Sequence, residues 1–215
     1  MSQPTRPADT GAQHERVYRT LRRQIMHGEI APGKALTLRG VASVFEVSMT
    51  PVREAARRLV AEGALTLSSS GRLTSPELAN DRIEELAAIR ALLEPELAAR
   101  ALPRAYPALI DRLHSINATT EQMLVKRDAI GYIRGNLEFH RTLYLRAQAP
   151  AMLAMVETVW LQLGPTMRDL YSRMKTANHA GHHRTIIAAL KSGNEARLRA
   201  ALQSDVTQGL RMLVV

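Results

Sequence analysis

From Asn80 to the end of the chain, apolar residues recur at helical spacing with almost no alternating stretch, and this constrains the fold more than any other feature. A long segment of that character folds as packed helices, because each helix has to bury its apolar stripe against another. Six helices are predicted over 80–101, 105–125, 128–147, 150–163, 165–190 and 194–212. Pro103, Pro150 and Pro165 mark breaks between them, and Pro95, inside the first pattern, predicts a kink.

The residues before Asn80 read differently. Residues 1–12 combine Pro4, Pro7 and Gly11 with small polar residues and no periodicity, which predicts a disordered tail. From Glu15, Val17, Leu21 and Ile25 recur every four residues among Arg16, Arg19, Arg22 and Arg23, predicting an amphipathic helix that Gly28 ends. After the turn Ala31-Pro32-Gly33, Thr37 can cap a helix with the stripe Leu38, Val41, Ala42 and Phe45. Glu46-Val47-Ser48 supplies a tight turn, Thr50 and Pro51 suit the N-cap and first helical position, and Val52, Ala56, Leu59 and Val60 form a second stripe. Leu65-Thr66-Leu67 and Leu73-Thr74 then read as short strands flanking the tip Ser68-Ser69-Ser70-Gly71-Arg72. With a boundary at Ser75-Pro76, the fold class is mainly α: a helix-turn-helix with a small β wing over 13–76, then an all-helical bundle over 80–212.

The 215 residues carry 29 Lys and Arg against 20 Asp and Glu, and the net charge of +9 favours an anionic partner, nucleic acid or an acidic membrane surface. No apolar run approaches the roughly 20 residues that span a bilayer. The stretch Met1 to Ala12 lacks the apolar core of a signal peptide, so a cytoplasmic protein without membrane partners is expected. The absence of cysteine excludes disulfides, thiolate zinc sites, iron–sulfur clusters and a cysteine nucleophile. Any metal has to be held by His, carboxylate or amide.

The second short helix offers Ser48, Met49, Thr50, Arg53 and Arg57 on its solvent side, at a helix N-terminus whose dipole favours phosphate. Arg39 from the preceding helix adds a further cation, and the wing tip offers Ser70, Gly71 and Arg72. The planar guanidinium can bridge guanine O6 and N7 or grip a phosphate, so this constellation points to double-stranded DNA. The plainer reading of the arginines alone is a solvated helix face, as for most charge runs. The wing immediately after the two helices is what tips the balance toward DNA.

In the helical half, Arg90 and Glu94 stand one turn apart, which by itself reads as an exposed ion pair worth a few tenths of a kcal/mol. Asn136 and His140 are likewise one turn apart and share a face, and a lone helical His is more often structural than a ligand. His183 and Asp205 lie on two later helices and each tops an otherwise apolar face. Buried polar groups need partners, so Asn136, His140, His183 and Asp205 are expected to converge on one cavity, satisfying one another or binding metal and ligand.

The run from Ala31-Pro32-Gly33 through Leu38, Ala42, Phe45 and Val47-Ser48-Met49-Thr50-Pro51-Val52-Arg53-Glu54-Ala55 to Leu59 and Glu62-Gly63 resembles the winged helix of the GntR family of bacterial regulators. The resemblance implies that Arg39, Met49, Thr50, Arg53 and the wing tip face DNA, with Met49 standing where relatives often carry Arg. Arg90-x-x-Leu93-Glu94, Glu138-Phe139-His140, His183-Arg184-x-Ile186-x-x-Ala189-Leu190 and the stretch from Asn194 to Asp205 resemble the FadR C-terminal (FCD) effector domain of one GntR subgroup. That resemblance implies a divalent metal held by an Asp and three His, which in turn binds a carboxylate effector. Here Asn136 stands where the Asp is expected and Asp205 where the third His is expected, so charge is kept while geometry changes. One amide oxygen, two imidazoles and one carboxylate still suit zinc, nickel or manganese. The effector-contacting candidates are Arg90, Glu94, Tyr132, Asn136, His140 and His183, and His179 and His182 are rival ligands beside His183.

The expected function is a ligand-responsive regulator, a repressor, that binds a short inverted-repeat operator as a homodimer and senses a small carboxylate. Three alternatives stay open: a polar pocket in which His140, His183 and Arg90 bind the acid directly, a metal-dependent helical enzyme, and a DNA-binding protein without effector. No general base beside the candidate ligands and no phosphate-cradling glycine loop or G-x-S-x-G elbow supports the enzyme.

Overall fold

A computed structural model describes residues 7–68, 71–173 and 180–211. The first helix, α1 (Pro7–Met26), begins eight residues before the Glu15 start read from the apolar repeat. The expected disordered tail therefore lies outside the described residues only over 1–6. The α1 stripe Val17, Leu21 and Ile25 is buried as its spacing requires. Beyond α1, Gly28 takes a left-handed φ of 69° and donates to the Ile25 carbonyl, so the chain leaves the helix axis there.

Two short helices follow, α2 (Leu38–Phe45) and α3 (Met49–Ala61). Thr37 caps α2 as expected, its hydroxyl accepting from the Gly40 amide at 3.0 Å. The start of α3 departs from expectation: Ser48 and not Thr50 is the N-cap, so Thr50 and Pro51 sit inside the first turn. Proline is tolerated there because first-turn amides have no intrahelical acceptor.

The wing comprises β2 (Thr66–Leu67) and β3 (Leu73–Thr74), and a strand unseen in the sequence, β1 (Ala35–Leu36), joins them in the order β1-β3-β2. Both pairings are antiparallel, with Leu73 opposite Leu36 on one side and Leu67 on the other. Val17, Leu21, Ile25, Val52, Ala55, Leu59 and Leu73 form the core of this half.

The remainder is helical: α4 (Asn80–Ala101), α5 (Pro107–Val125), α6 (Ala129–Tyr144), α7 (Pro150–Leu163), α8 (Met167–Arg173), α9 (Ala180–Ser192) and α10 (Glu195–Arg211). Short 3₁₀ turns follow α4 and α6. The single helix expected over 165–190 is two elements, α8 and α9, with residues 174–179 outside the description. α4 runs uninterrupted through Pro95, whose missing N–H leaves the Ala91 carbonyl without its usual helical donor. The bundle core gathers Leu97, Leu113, Phe139, Leu143, Val156, Ile186 and Leu202 from six helices around a set of polar side chains.

Candidate functional site

On the basic N-terminal face, Arg39, Ser48, Thr50, Arg53, Gly71 and Arg72 are exposed. Met49 is half-buried and packs against the core of the winged half, so it contributes packing as well as surface. Arg57 is also exposed but pairs with Glu54 at 2.8 Å. Ser70, the remaining wing candidate, lies outside the described residues. At the wing, Gly71 has a φ of 80°, a conformation that favours glycine, and its amide donates to the Ser68 carbonyl.

A second polar constellation lies inside the bundle. Tyr132, Asn136, His140 and Tyr144 recur every fourth residue of α6 and so form one stripe on that helix. His140 is fully buried, Asn136 half-buried. Arg90 and Glu94 of α4, which the sequence alone reads as an exposed pair, are buried. Their spacing is that of a surface pair, but the face that carries them is turned into the bundle. Arg90 Nε lies 2.5 Å from Glu94 Oε1. Burial works against the Arg90 charge, yet the Glu94 carboxylate holds its pKa above the ordinary value. Burial likewise pushes the Glu94 carboxyl up, and the Arg90 guanidinium outweighs it, so Glu94 stays ionised.

Proton bookkeeping fixes both imidazoles. Tyr144 donates its only hydroxyl proton to Glu94 Oε2 at 2.7 Å, and Trp160 Nε1 of α7 donates to Glu94 Oε1 at 2.9 Å. The 3.1 Å contact between His140 Nδ1 and the Tyr144 oxygen is then a bond the imidazole donates, so Nδ1 carries the proton. Across the site, Asn117 Nδ2 of α5 donates to Glu121 Oε1 at 2.7 Å, which orients its amide. Asn117 Oδ1 therefore accepts from His183 Nδ1 at 3.0 Å. Burial drives the His183 pKa down to about 3, outweighing the Asp205 charge that would raise it, and keeps the ring neutral.

Both histidines thus present Nε2 to the interior. The rings sit edge to face with centroids 5.2 Å apart, and Phe139 stacks on His183 at 3.8 Å. Asp205 of α10 closes the group: one nitrogen of each imidazole and a carboxylate oxygen lie within 4.8 Å of one another. His140 Nε2 is 3.1 Å from Asp205 Oδ2, yet the contact is off the line of a ring N–H, so this buried nitrogen has distance without a directed hydrogen bond. Burial pushes the Asp205 carboxyl up, but its contact with His140, ahead of the nearby His183 and Arg90, outweighs burial and holds it well below the usual carboxylate range. Two lone-pair nitrogens facing one carboxylate repel unless a cation stands among them. Imidazoles whose outer nitrogens are held by hydrogen bonds are the form in which histidine binds metal, so this donor set fits a divalent cation.

Of the expected ligands, the structure brings together His140, His183 and Asp205; Asn136 is one turn along α6 from His140. Tyr132 belongs to the same neighbourhood: burial first, then the Asp205 charge, raises its phenol above the ordinary range. His179 lies outside the described residues. Sequence reasoning missed Asn117, Tyr144 and Trp160, which hold the ligands and the ion pair in place. Asn117 had a signal, a polar residue on the apolar stripe of α5 with Leu109, Leu113 and Ile116. Trp160 is the only tryptophan in the chain.

Comparison with known proteins gives two family matches: the FCD domain over residues 85–208, and bacterial regulatory proteins of the gntR family over residues 13–72. The HTH-type transcriptional regulator McbR of Escherichia coli K12 is 29% identical over 196 residues, covering 90% of this chain and 89% of that protein. The gluconate operon transcriptional repressor of Bacillus subtilis 168 is 30% identical over 162 residues, covering 75% of this chain and 63% of its own. The solved structure of E. coli McbR/YncC superposes with a TM-score of 0.87 at 28% identity, covering 94% of this chain and 96% of the other. A putative GntR regulator from Rhodococcus sp. RHA1 shares the fold, with a TM-score of 0.75 at 18% identity over 94% of this chain and 98% of that one. These relatives are transcriptional regulators and not enzymes, which sets aside the metal-dependent enzyme.

Proposed function

Because the chain belongs to the GntR family of bacterial regulatory proteins and carries its FCD domain, we propose that this DNA-binding transcriptional regulator is a repressor governed by a small carboxylate sensed at a metal centre in its helical half. The observation that carries the reading is the pair of buried, outward-tied imidazoles aimed at Asp205. His140, His183 and Asp205 hold the ion, with Asn136 as a fourth donor through its amide oxygen. The ion supplies Lewis acidity for a ligand carboxylate. Around it, Tyr144 and Asn117 fix the tautomers, and Phe139 and Trp160 keep the site dry. Arg90, whose charge Glu94 already balances, has none to spare for a ligand, which speaks against direct binding of the acid by Arg90.

At the other end, Arg53, Arg39 and Thr50 read the major groove, Ser48 and Arg57 grip phosphate, and the wing tip through Ser70, Gly71 and Arg72 enters the adjacent groove. A homodimer on a short inverted repeat follows from two-fold symmetry. No helix among the described residues is long and apolar enough to cross a membrane. The test is elemental analysis with native mass spectrometry of the purified chain. About one zinc, nickel or manganese ion per chain is expected, absent from the His140→Ala/His183→Ala variant with its helicity unchanged. A wild-type chain that binds none of the three ions on titration overturns the metal centre.

A further inference from the structure

One helix touches both halves of the molecule with adjacent residues. On α7, Trp160 donates to Glu94 and lies beside the rings of Tyr144 and His140, with centroids 6.0 and 6.4 Å away. The next residue, Leu161, is fully buried in the core of the winged half, with Val17, Ile25 and Leu59. The next, Gln162, donates from Nε2 to the Glu62 carbonyl at 3.0 Å and accepts from Arg82 at 2.8 Å. Glu62 is the C-cap of α3, and its carboxylate also receives the Tyr18 hydroxyl at 2.5 Å and faces Arg22 and Arg58, each at 3.4 Å. The same carbonyl and carboxylate thus tie α1, α3 and α7 together.

The backbones close the joint. A methyl group on Gly164 would meet the Ile25 carbonyl at 2.2 Å and Met26 Cα at 2.7 Å, so α1 rests directly on the end of α7. Arg168 adds a 3.3 Å bond to the Gly28 carbonyl. Successive residues of a helix project about 100° apart, so 160 faces the polar site while 161 and 162 face the recognition unit. A helix of 14 residues moves as a rod, and packed elements of this kind shift by about 1–2 Å between states.

We propose that α7 transmits occupancy of the polar site to the recognition helix, with Trp160 as its sensing end and Gln162 as its output on the α3 cap. Filling the site moves His140; His140 pulls on Tyr144, Tyr144 and Trp160 share Glu94, and displacement of Trp160 carries Gln162 with it. The inference rests on the polar site being the ligand site, but the physical link does not require that the ligand be a metal.

Hydrogen exchange by mass spectrometry on the full chain tests it, reading amides 62–65 against the first turns of α5 (residues 108–112), away from Asn117, as an internal reference. In chelator-treated protein, Gln162→Leu is expected to speed exchange at 62–65 by about 2- to 12-fold, the loss of one hydrogen bond. Trp160→Phe, which removes the indole N–H and part of the buried ring and touches none of these amides, is expected to change exchange at 62–65 by at least about 2-fold relative to α5, as one lost bond passed along the helix would. Added Zn2+, its binding counted by native mass spectrometry in wild type and both variants, is expected to alter 62–65 in wild type and in neither variant. Trp160→Phe indistinguishable from wild type at 62–65 overturns the link, as does bound Zn2+ that leaves wild-type exchange unmoved. If Zn2+ fails to bind, the metal reading falls while the chelator-treated comparison still decides the link.

Discussion

Replacing Glu94 by Leu removes the acceptor on which three buried donors converge: Arg90, Tyr144 and Trp160. The dominant cost is the Arg90 guanidinium left without its counter-charge in a fully enclosed position, about 3–5 kcal/mol for a broken buried pair. The orphaned Tyr144 hydroxyl and Trp160 N–H add about 1–3 kcal/mol each where no water enters. Arg90→Met is expected to cost less, because Glu94 keeps two of its three donors. The pair Arg90→Met/Glu94→Leu is expected to be more stable than Glu94→Leu alone, since it deletes the stranded charge and leaves only the two neutral donors unsatisfied. Urea unfolding of the metal-free chain measures all three. For a chain of this length, a loss of about 3–5 kcal/mol lowers the midpoint of a thermal melt by roughly 6–20 °C. A Glu94→Leu variant within about 1 kcal/mol of wild type, or a double variant less stable than Glu94→Leu, refutes the buried-pair account.

Arg53→Ala is expected to weaken operator binding by about 1–3 kcal/mol, roughly 5- to 150-fold, with exposed Arg197→Ala as the control; equal affinities in a gel-shift assay at matched salt remove α3 from the interface. Gly164→Ala forces a methyl into the α1 backbone and is expected to cost at least about 1–3 kcal/mol and loosen the winged half; an unchanged melt and proteolysis pattern contradict the close contact. Glu94 is held below its ordinary pKa, so its contribution to stability is present above the unfolded value of about 4.3 and lost as pH falls through the folded one. Glu94→Gln is expected to flatten that acid limb, and an identical pH slope argues against it. Light scattering is expected to give twice the 23.8 kDa chain mass at micromolar concentration; a monomer both free and on DNA rules out the two-fold operator.

The sequence determined what depends on neighbours along the chain. Helical periodicity placed most of the bundle, the cap at Thr37 and the turn at Glu46-Val47-Ser48 located the paired short helices, and the i, i+4 step put Asn136 and His140 on one face. These are local consequences of backbone geometry and side-chain spacing, so they can be read before any packing is known. What joins distant segments could not be read that way. β1 has two residues and no alternation of its own, and it exists because Leu73 and Thr74 pair with it. Arg90 and Glu94 carry the spacing of a surface pair, and only the packing of α4 makes them a buried one. The tautomers of His140 and His183 follow from Tyr144, Glu94, Asn117 and Glu121, partners 4 to 66 residues away or linked through one another. α7 gave no sign in sequence that it bridges two halves, because Trp160 and Leu161 are simply adjacent apolar residues until helices on both sides enclose them. Burial decides which charges must be matched and which nitrogens stay bare, and burial is a property of the packed chain alone.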